Sequence, residues 1–580
     1  MYLRSTLRRN KDGSEVRYLQ LAHNVWDPAA KRSRVQVVYN FGREEPATRE
    51  ALERLVASVA RHLEPGKARA IAAEGLEFAE SRPLGGTHVL DALWERLGIG
   101  PAMRDLLKGR RLDPAAERVL FALVANRALA PSSKLAAARW AGEEVLIAGL
   151  DATSDDACYR AMDWLLEIRE ALERQVFDRS FEVLGLEVDL LFFDTTSTYF
   201  VTEQADAPVA RDQQGNPVAE GAAGAREAGF RTWGKSKDHR DDLPQVVIGM
   251  AVTRDGIPLR VWCWPGNTAD SALIRQVKDD MRGWSLSRVI WVADRGFTSA
   301  ENRRYLRRGG NHYIIGERLR SGSAEAQAAL SRQGRYQEVA GNLRVKEVRI
   351  AEDERFVICH NPEGAERDAA IRARLIAQLR ELIDGTDKLA RDKRAELRGV
   401  ISTRPGLNRY LRVTPGGLLR IDAGKAKAEE NLDGKYLLRT SDPKMTAEDI
   451  ALGYRQLLQV ERGWRDMKQV IDLRPVYHRK EERIRAHVIL CWLALLLARI
   501  AENTCGATWP ELRRQLDRIA VGTFAGPAGT FRQRTEITDA QQDILTRLGI
   551  DPPPRIYQLT PPDRTPLTSG NTSPRYTPRT

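Results

Sequence analysis

Two apolar stretches of this 580-residue chain end on an acid, and a third acid follows in a helical stretch. "VDLLFFDTTSTYF", from Val188, delivers Asp194, and "VIWVAD" delivers Asp294, followed by Arg295 and Gly296. The third acid, Glu461, lies in "TAEDIALGYRQLLQVERGWRDMKQVIDLRPVYH". An acid at the end of a strand often does no more than cap the next turn. Two such strands in one domain favour a shared use, because α/β sheets place functional groups at the C-terminal ends of their strands. Three carboxylates without cysteine ligands suit a hard cation, Mg²⁺ or Mn²⁺. Two such ions can activate an attacking oxygen and stabilise the leaving oxygen of a phosphodiester. The small Thr195, Thr196 and Ser197 leave room beside Asp194 for metal and a nucleic-acid backbone.

The third acid needs a helix to hold it. Thr446 with Asp449 reads as a capping start. Tyr454, Glu461 and Lys468 recur at seven-residue intervals, nearly two turns, so one continuous helix would set them on one face. Arg465 falls one turn beyond Glu461 on that face. Leu457, Leu458 and Val460 supply a packing surface, so the helix is expected to dock with Glu461 near the rim. Tyr454, Arg465 and Lys468 are then candidates to hold phosphates. The plainer alternative is a solvated face of mixed charge. "WGKSKDHRDD" offers a second basic cluster, with Lys235, Lys237, His239 and Arg240 around Asp238. A solvated turn is the alternative there, and His239 alone does not suggest a metal site.

Other elements must position these residues. "EVRYLQLAHNVWD" and "SRVQVVYNFG" are β-branched and aromatic and predict a small sheet within 1–45. The pattern from 46 to 184 is helical, as in "LERLVASVARHL" and "THVLDALWERLGI". Within it, "LAPSSKLAAARW" starts a helix at Pro131-Ser132-Ser133 followed by Lys134, either a DNA-binding segment or scaffold. Strand-like runs and helices across 185–315, with a hairpin turn at "TRDGIP", predict an α/β or α+β core. The stretch 316–442 reads as a β-rich insertion, and 443–502 as the second part of the core. The extension 503–580 ends in a Pro/Thr/Ser-rich tail, expected to be disordered from about residue 561.

Composition narrows the partners. Lys and Arg number 91 against 79 Asp and Glu, for a net charge of +12, which favours a polyanion such as nucleic acid. The five cysteines are scattered without a CxxC pair, so reduced core thiols are expected rather than a zinc site. The N-terminus lacks the apolar stretch of a signal peptide. "VILCWLALLLA" is too short to span a bilayer and reads as a buried helix.

Taken together, the chain resembles the DDE transposases of bacterial insertion sequences, in the group with a Y-R-E-K signature around the catalytic glutamate. It most resembles the branch carrying "SKDHRDDLPQ", "DGIPL", "GNTAD" and "ADRGF" between the aspartates. "RPVYHRKEERIRAHVILCWLALLL" also matches, and the likeness runs from about Leu120 to Arg499. The resemblance implies an RNase H-like core, a triad of Asp194, Asp294 and Glu461 holding two Mg²⁺ or Mn²⁺ ions, and contacts with DNA ends by the basic loop. Tyr454 and Lys468 match the signature's Y and K, whereas its R position holds Leu457, with Arg455 or Arg465 as substitutes. Better-known relatives stack a flipped base on an inserted tryptophan. Here no Trp falls between Trp291 and Trp464, which leaves Tyr336, Tyr410 or Tyr436. The implied activity is cleavage of the element's terminal inverted repeats and joining of the 3′-OH to target DNA. The implied setting is the cytoplasm, on the nucleoid, as a homodimer or larger assembly. Alternatives are a catalytically silent DNA-binding derivative and, less well matched, an aspartyl-phosphate phosphatase. The latter requires a second Asp two residues after the first, where Thr196 stands.

Overall fold

A computed structural model describes residues 2–10, 14–27, 32–46, 48, 52, 56, 77–185, 188–284, 289–351, 354–526 and 529–560. The segment "LERLVASVARHL", apart from Leu52 and Val56, and the tail from residue 561 lie outside the described residues. The chain divides into two units, Met1–Ser81 with Gly522–Gln533 and Arg555–Thr580, and Arg82–Val521 with Arg534–Pro554.

The first unit holds an antiparallel sheet of β1 (Tyr2–Arg9), β2 (Glu15–Asp27) and β3 (Arg32–Arg43). The sequence predicts β2 and β3; β1 was not foreseen, because arginines and serine interrupt its alternation.

The second unit is built on a nine-stranded sheet. Its strands are β4 (Leu190–Tyr199), β5 (Gln245–Val252), β6 (Pro258–Pro265), β7 (Ile290–Ala293), β8 (His312–Glu317), β9 (Gln337–Ala340), β10 (Leu343–Ala351), β11 (Glu354–His360) and β12 (Lys435–Thr440). Their spatial order is β9-β10-β11-β12-β8-β7-β4-β5-β6. The "TRDGIP" turn joins β5 to β6 as expected. β7 runs parallel to both β4 and β8, and β5 and β6 run antiparallel to their neighbours. The first five strands therefore lie in the order 3-2-1-4-5, which is the RNase H-like arrangement. Most strands of the stretch read as an insertion join the core sheet; only the short pair Leu411–Val413 and Leu419–Ile421 forms a sheet of its own. β9 to β12 extend the core sheet from the edge of β8, while 362–430 is largely helical around a small core of its own.

β4 can be apolar on both sides because the sheet is covered on both sides. Leu190 and Phe192 join the cluster beneath α1 (Ala116–Leu129), α2 (Asp155–Leu184) and the C-terminal helices, and Leu191 and Phe193 join the cluster beneath α3 (Asp270–Asp280). Burying each phenylalanine contributes about 2–3 kcal/mol.

The C-terminal helices are α4 (Ala447–Arg455), α5 (Leu458–Gln469) and α6 (Glu481–Cys505). α6 contains the apolar stretch seen in the sequence and is longer than that stretch suggests. Its 25 residues are apolar enough to cross a membrane, yet its most apolar window is wholly buried inside the protein. Trp492 of α6 donates to Pro258 O at 2.9 Å, and buried Arg499 donates to Asp466 on α5 at 2.6 Å. These bonds fix α5 against the sheet.

The short helix Lys134–Arg139 starts at Ser133, whose side chain accepts from Ala136 N. Lys134 is only 3% exposed, and burial pushes its ammonium down to about 7, with the Arg127 guanidinium adding to the shift. As it lies, Lys134 offers no surface to DNA, so scaffold is the better reading of this segment.

Candidate active site

Strand register sets the two aspartates. Phe193 of β4 pairs with Ala293 of β7 in a parallel ladder, so Asp194 and Asp294 follow at the same level of adjacent strands. Side chains alternate along a strand. Asp194 continues the Leu190–Phe192 face, and Asp294 continues the Ile290–Val292 face, which is the same side of the sheet. α5 packs on that side through Val460, Trp464 and Met467. Asp294 also caps the turn Arg295–Phe297, accepting Gly296 N on Oδ1 at 2.7 Å. The capping reading and the functional one thus hold together for this residue.

Asp194 sits in a strained electrostatic setting. Burial pushes its carboxyl up to about 6. The Lys237 ammonium opposes that shift from 3.7 Å, while the carboxylates of Asp294 and Asp270 reinforce it. Lys237 is tethered in place: its Nζ donates to Thr195 O and Oγ1 at 2.6 Å each and lies 3.2 Å from Asp270. Its backbone N donates to Ser197 Oγ at 2.9 Å. The small hydroxylated residues after Asp194 therefore serve as anchors for the basic loop.

The expected single helix is two. α4 begins at Thr446, whose hydroxyl accepts Asp449 N at 3.0 Å as predicted, but it ends at Arg455, and α5 starts at Leu458. Between them the bonds run three residues back, Leu457 N to Tyr454 O at 3.0 Å and Val460 N to Leu457 O at 3.1 Å. A tighter turn of this kind advances more than 100° per residue, so the seven-residue spacing no longer maps onto one face. Packing is the cause. Leu457 is buried at 8% exposure and Leu458 is 60% exposed, so only one of the two expected packing leucines faces the core. Gly453 lets α4 sit so close to the sheet that a Cβ there would lie 3.0 Å from Leu190.

Despite the break, Tyr454 and exposed Glu461 line one cleft of about 1530 Å³ together with Asp294, Thr196 and Ser197. The Tyr454 hydroxyl rests over Gly316 of β8, where a Cβ would come within 2.4 Å of it. Burial and then the Asp294 carboxylate push the Tyr454 phenol up, so it stays protonated and able to donate. Gly316→Ala is expected to dislodge Tyr454 and to cost about 1–3 kcal/mol of stability through overpacking. Thermal unfolding and DNA cleavage measured on this variant check both effects; an unchanged melting temperature would mean that Tyr454 simply swings aside.

The basic residues separate into groups. Lys235, Lys237 and His239 line the cleft. Arg240 is engaged by Asp242 at 2.7 Å and lies over the Tyr199 ring, outside the cleft lining. Lys468 is mostly buried and, with Arg474, grips Asp238 of the basic loop at 3.0 Å. Arg465 is exposed and is not in the cleft wall. Arg455 does line the cleft, close to Leu457 at the signature's R position. Of the three candidate tyrosines, Tyr436 lines the cleft and stacks on Tyr454 at 6.1 Å. Tyr410 is buried in the helical insertion, and Tyr336 packs in a separate small cluster. Asp270 and Arg295 were not singled out from sequence, although "GNTAD" and "ADRGF" contain them.

Among the described residues no group of three or more His, Cys, Asp or Glu side chains stands close enough to hold a metal. Asp194 and Asp294 are brought together by the strand register; Asp294 and Glu461 line the cleft, whereas Asp194 lies outside its lining. The donor chemistry is oxygen only, and Asp194's raised pKa reflects burial and surplus negative charge, a condition a divalent cation relieves.

The strand order and its two central aspartates define an RNase H-like core of the DDE kind. Residues 208–497, half of the chain, match the transposase DDE domain, and residues 3–70 match the IS1634 family transposase N-terminal domain. The chain belongs to the DDE transposases of insertion sequences. The first match takes in Asp294, Glu461 and the basic loop, with Asp194 just ahead of it. A cryo-EM structure of a piggyBac transposase synaptic complex with hairpin DNA aligns at 12% identity with a TM-score of 0.34, over 76% of this chain and 82% of that one. That likeness is too distant to bear on the site. No curated protein matches the chain.

Proposed function

We propose that the chain binds the terminal inverted repeats of its own element, cleaves them, and joins the 3′-OH to target DNA. The observation that carries this is the register placing Asp194 beside Asp294 on the face where α5 presents Glu461. Asp194, Asp294 and Glu461 would hold two Mg²⁺ or Mn²⁺ ions. Bound there, these supply Lewis acidity toward the attacking and leaving oxygens of a phosphodiester. Gathering three carboxylates costs Coulomb repulsion, which divalent cations bound among them would offset. Tyr454 would donate to a phosphate oxygen, Lys235 would neutralise the strand, and His239 would add a polar contact, while Lys237 holds Asp194 and Asp270. Lys468 acts by holding Asp238, and Arg465 and Arg240 meet DNA outside the cleft. The protein works in the cytoplasm on nucleoid DNA, as a dimer or larger assembly, because two ends must be joined.

The test is an end-cleavage assay on the DNA flanking its gene, with Mg²⁺. The wild type should cut at the repeat boundary, and Asp294→Ala should not. Equal cutting by both would remove Asp294 from the site; binding without cutting by the wild type would favour a silent DNA-binding derivative.

Lys468→Ala should slow cleavage about ten-fold by loosening the basic loop, with the slope of log affinity against log salt unchanged, because its charge is already matched by Asp238. A slope falling by about one unit would instead show direct phosphate contact.

A further inference from the structure

The sheet of the first unit has two unlike faces, fixed by its register. Leu3 pairs with Leu21 and Leu21 with Tyr39, so these share one face, which also carries buried Leu19. Glu15 and Asp27, the acids of these three strands, alternate onto that same face. On the opposite face Arg4 pairs with Gln20 and Gln20 with Asn40, in one row across all three strands. The next row is Thr6, Tyr18 and Arg43. Tyr2 OH donates to Asn24 on this face at 3.0 Å, which agrees with the assignment. Arg4, Arg8 and Asn40 are exposed, and among the described residues Arg4 and Arg8 form no ion pair. This face carries no acid; the row beside Arg4–Gln20–Asn40 is apolar, with buried Ala22 between exposed Tyr2 and Val37.

We propose that the Arg4–Gln20–Asn40 face reads base edges of double-stranded DNA in the major groove. The proposal rests on the reading that the chain binds its element's ends. Cross-strand neighbours stand about 5 Å apart, so the row spans about 10 Å, against a major groove about 12 Å wide. Guanidinium and carboxamide groups are the side chains that match guanine and adenine edges in that groove. Arg8 and Arg43 flank the row as positive charge for the phosphates. Asn40 Oδ1 accepts Gly42 N at 3.1 Å, which restrains its side chain.

Full-length protein would be titrated with labelled duplexes from the flanks of its gene and with shuffled duplexes of equal composition. The wild type should prefer the flank by ten-fold or more. The double variant Gln20→Ala with Asn40→Ala should lose most of that preference while keeping its affinity for shuffled DNA. Arg4→Lys keeps the charge, guards against a folding artefact, and should lose about ten-fold in preference alone. If both variants keep the wild-type preference, the sheet is not the reader, and end recognition stands elsewhere. If the wild type itself shows no preference, the reading of end binding fails and this proposal with it. A change in sedimentation without any change in preference would show that the face joins copies of the chain, and would overturn the proposal.

Discussion

Asp194→Asn is expected to abolish DNA cleavage and at the same time to make the protein harder to unfold. The two effects share a cause. In the fold, burial and neighbouring carboxylates raise the Asp194 pKa from 3.8 to about 6. A carboxyl raised in this way favours the folded state fully while it is protonated. That contribution is lost as pH rises from about 4 to about 6, and above 6 the charged group is a constant burden. Two pKa units correspond to about 3 kcal/mol, an upper figure given the remaining solvent access. Asparagine keeps the shape of the protonated acid and removes the burden. Denaturant midpoints in EDTA at pH 8 should therefore be higher for the variant, and the gap should close toward pH 4. Equal midpoints at pH 8 would show that Lys237 already neutralises Asp194. Cleavage with Mg²⁺ should fall by about 10³-fold or more, because a neutral amide is a poor ligand for a hard cation.

Asp194 and Asp294 are both legible in the sequence, because each acid ends an apolar run. A strand buried on both faces has to be apolar throughout, so a carboxylate at its end is conspicuous. The Thr446 cap and the "TRDGIP" hairpin were legible for the same local reason. The break between α4 and α5 was not. The glycines of "GYRQLLQVERG", Gly453 and Gly463, do not fall at the break, and which of Leu457 and Leu458 turns inward is decided by packing against elements far away in the chain. Long-range pairing hid other features too. β12 enters the core sheet beside β8 across more than a hundred residues, so the stretch 316–442 read as a separate insertion. Lys468 looked like a phosphate ligand because its partner, Asp238, lies 230 residues earlier. The sequence left the Lys134 segment open between DNA binding and scaffold, because burial of a lysine at a helix start is decided by elements packed around it from elsewhere in the chain.

The break also decides how the third acid is best tested. Inserting one alanine between Leu458 and Gln459 would rotate Glu461 by about 100°, but it would rotate Val460, Trp464 and Met467 out of the core as well. Lost cleavage in that variant would follow from lost packing. Glu461→Gln avoids the confusion. Glu461 is exposed on the cleft side of α5, and the residues that dock the helix are left alone. The fold should melt at nearly the wild-type temperature, with a small loss because an acid in the first turn favours the helix dipole. Cleavage of flanking DNA with Mg²⁺ should fall by about 10³-fold, the rate equivalent of several kcal/mol of lost charge stabilisation. Binding to the same DNA should persist, since the phosphate contacts proposed for the basic loop do not involve Glu461. Adding Mg²⁺ should raise the melting temperature of the wild type by more than it raises that of the variant, because the ligand set is one carboxylate short. If Mg²⁺ stabilises both equally and the variant still cuts, the third ligand lies elsewhere in the cleft. Asp270, which already shares Lys237 with Asp194, is then the acid to replace next.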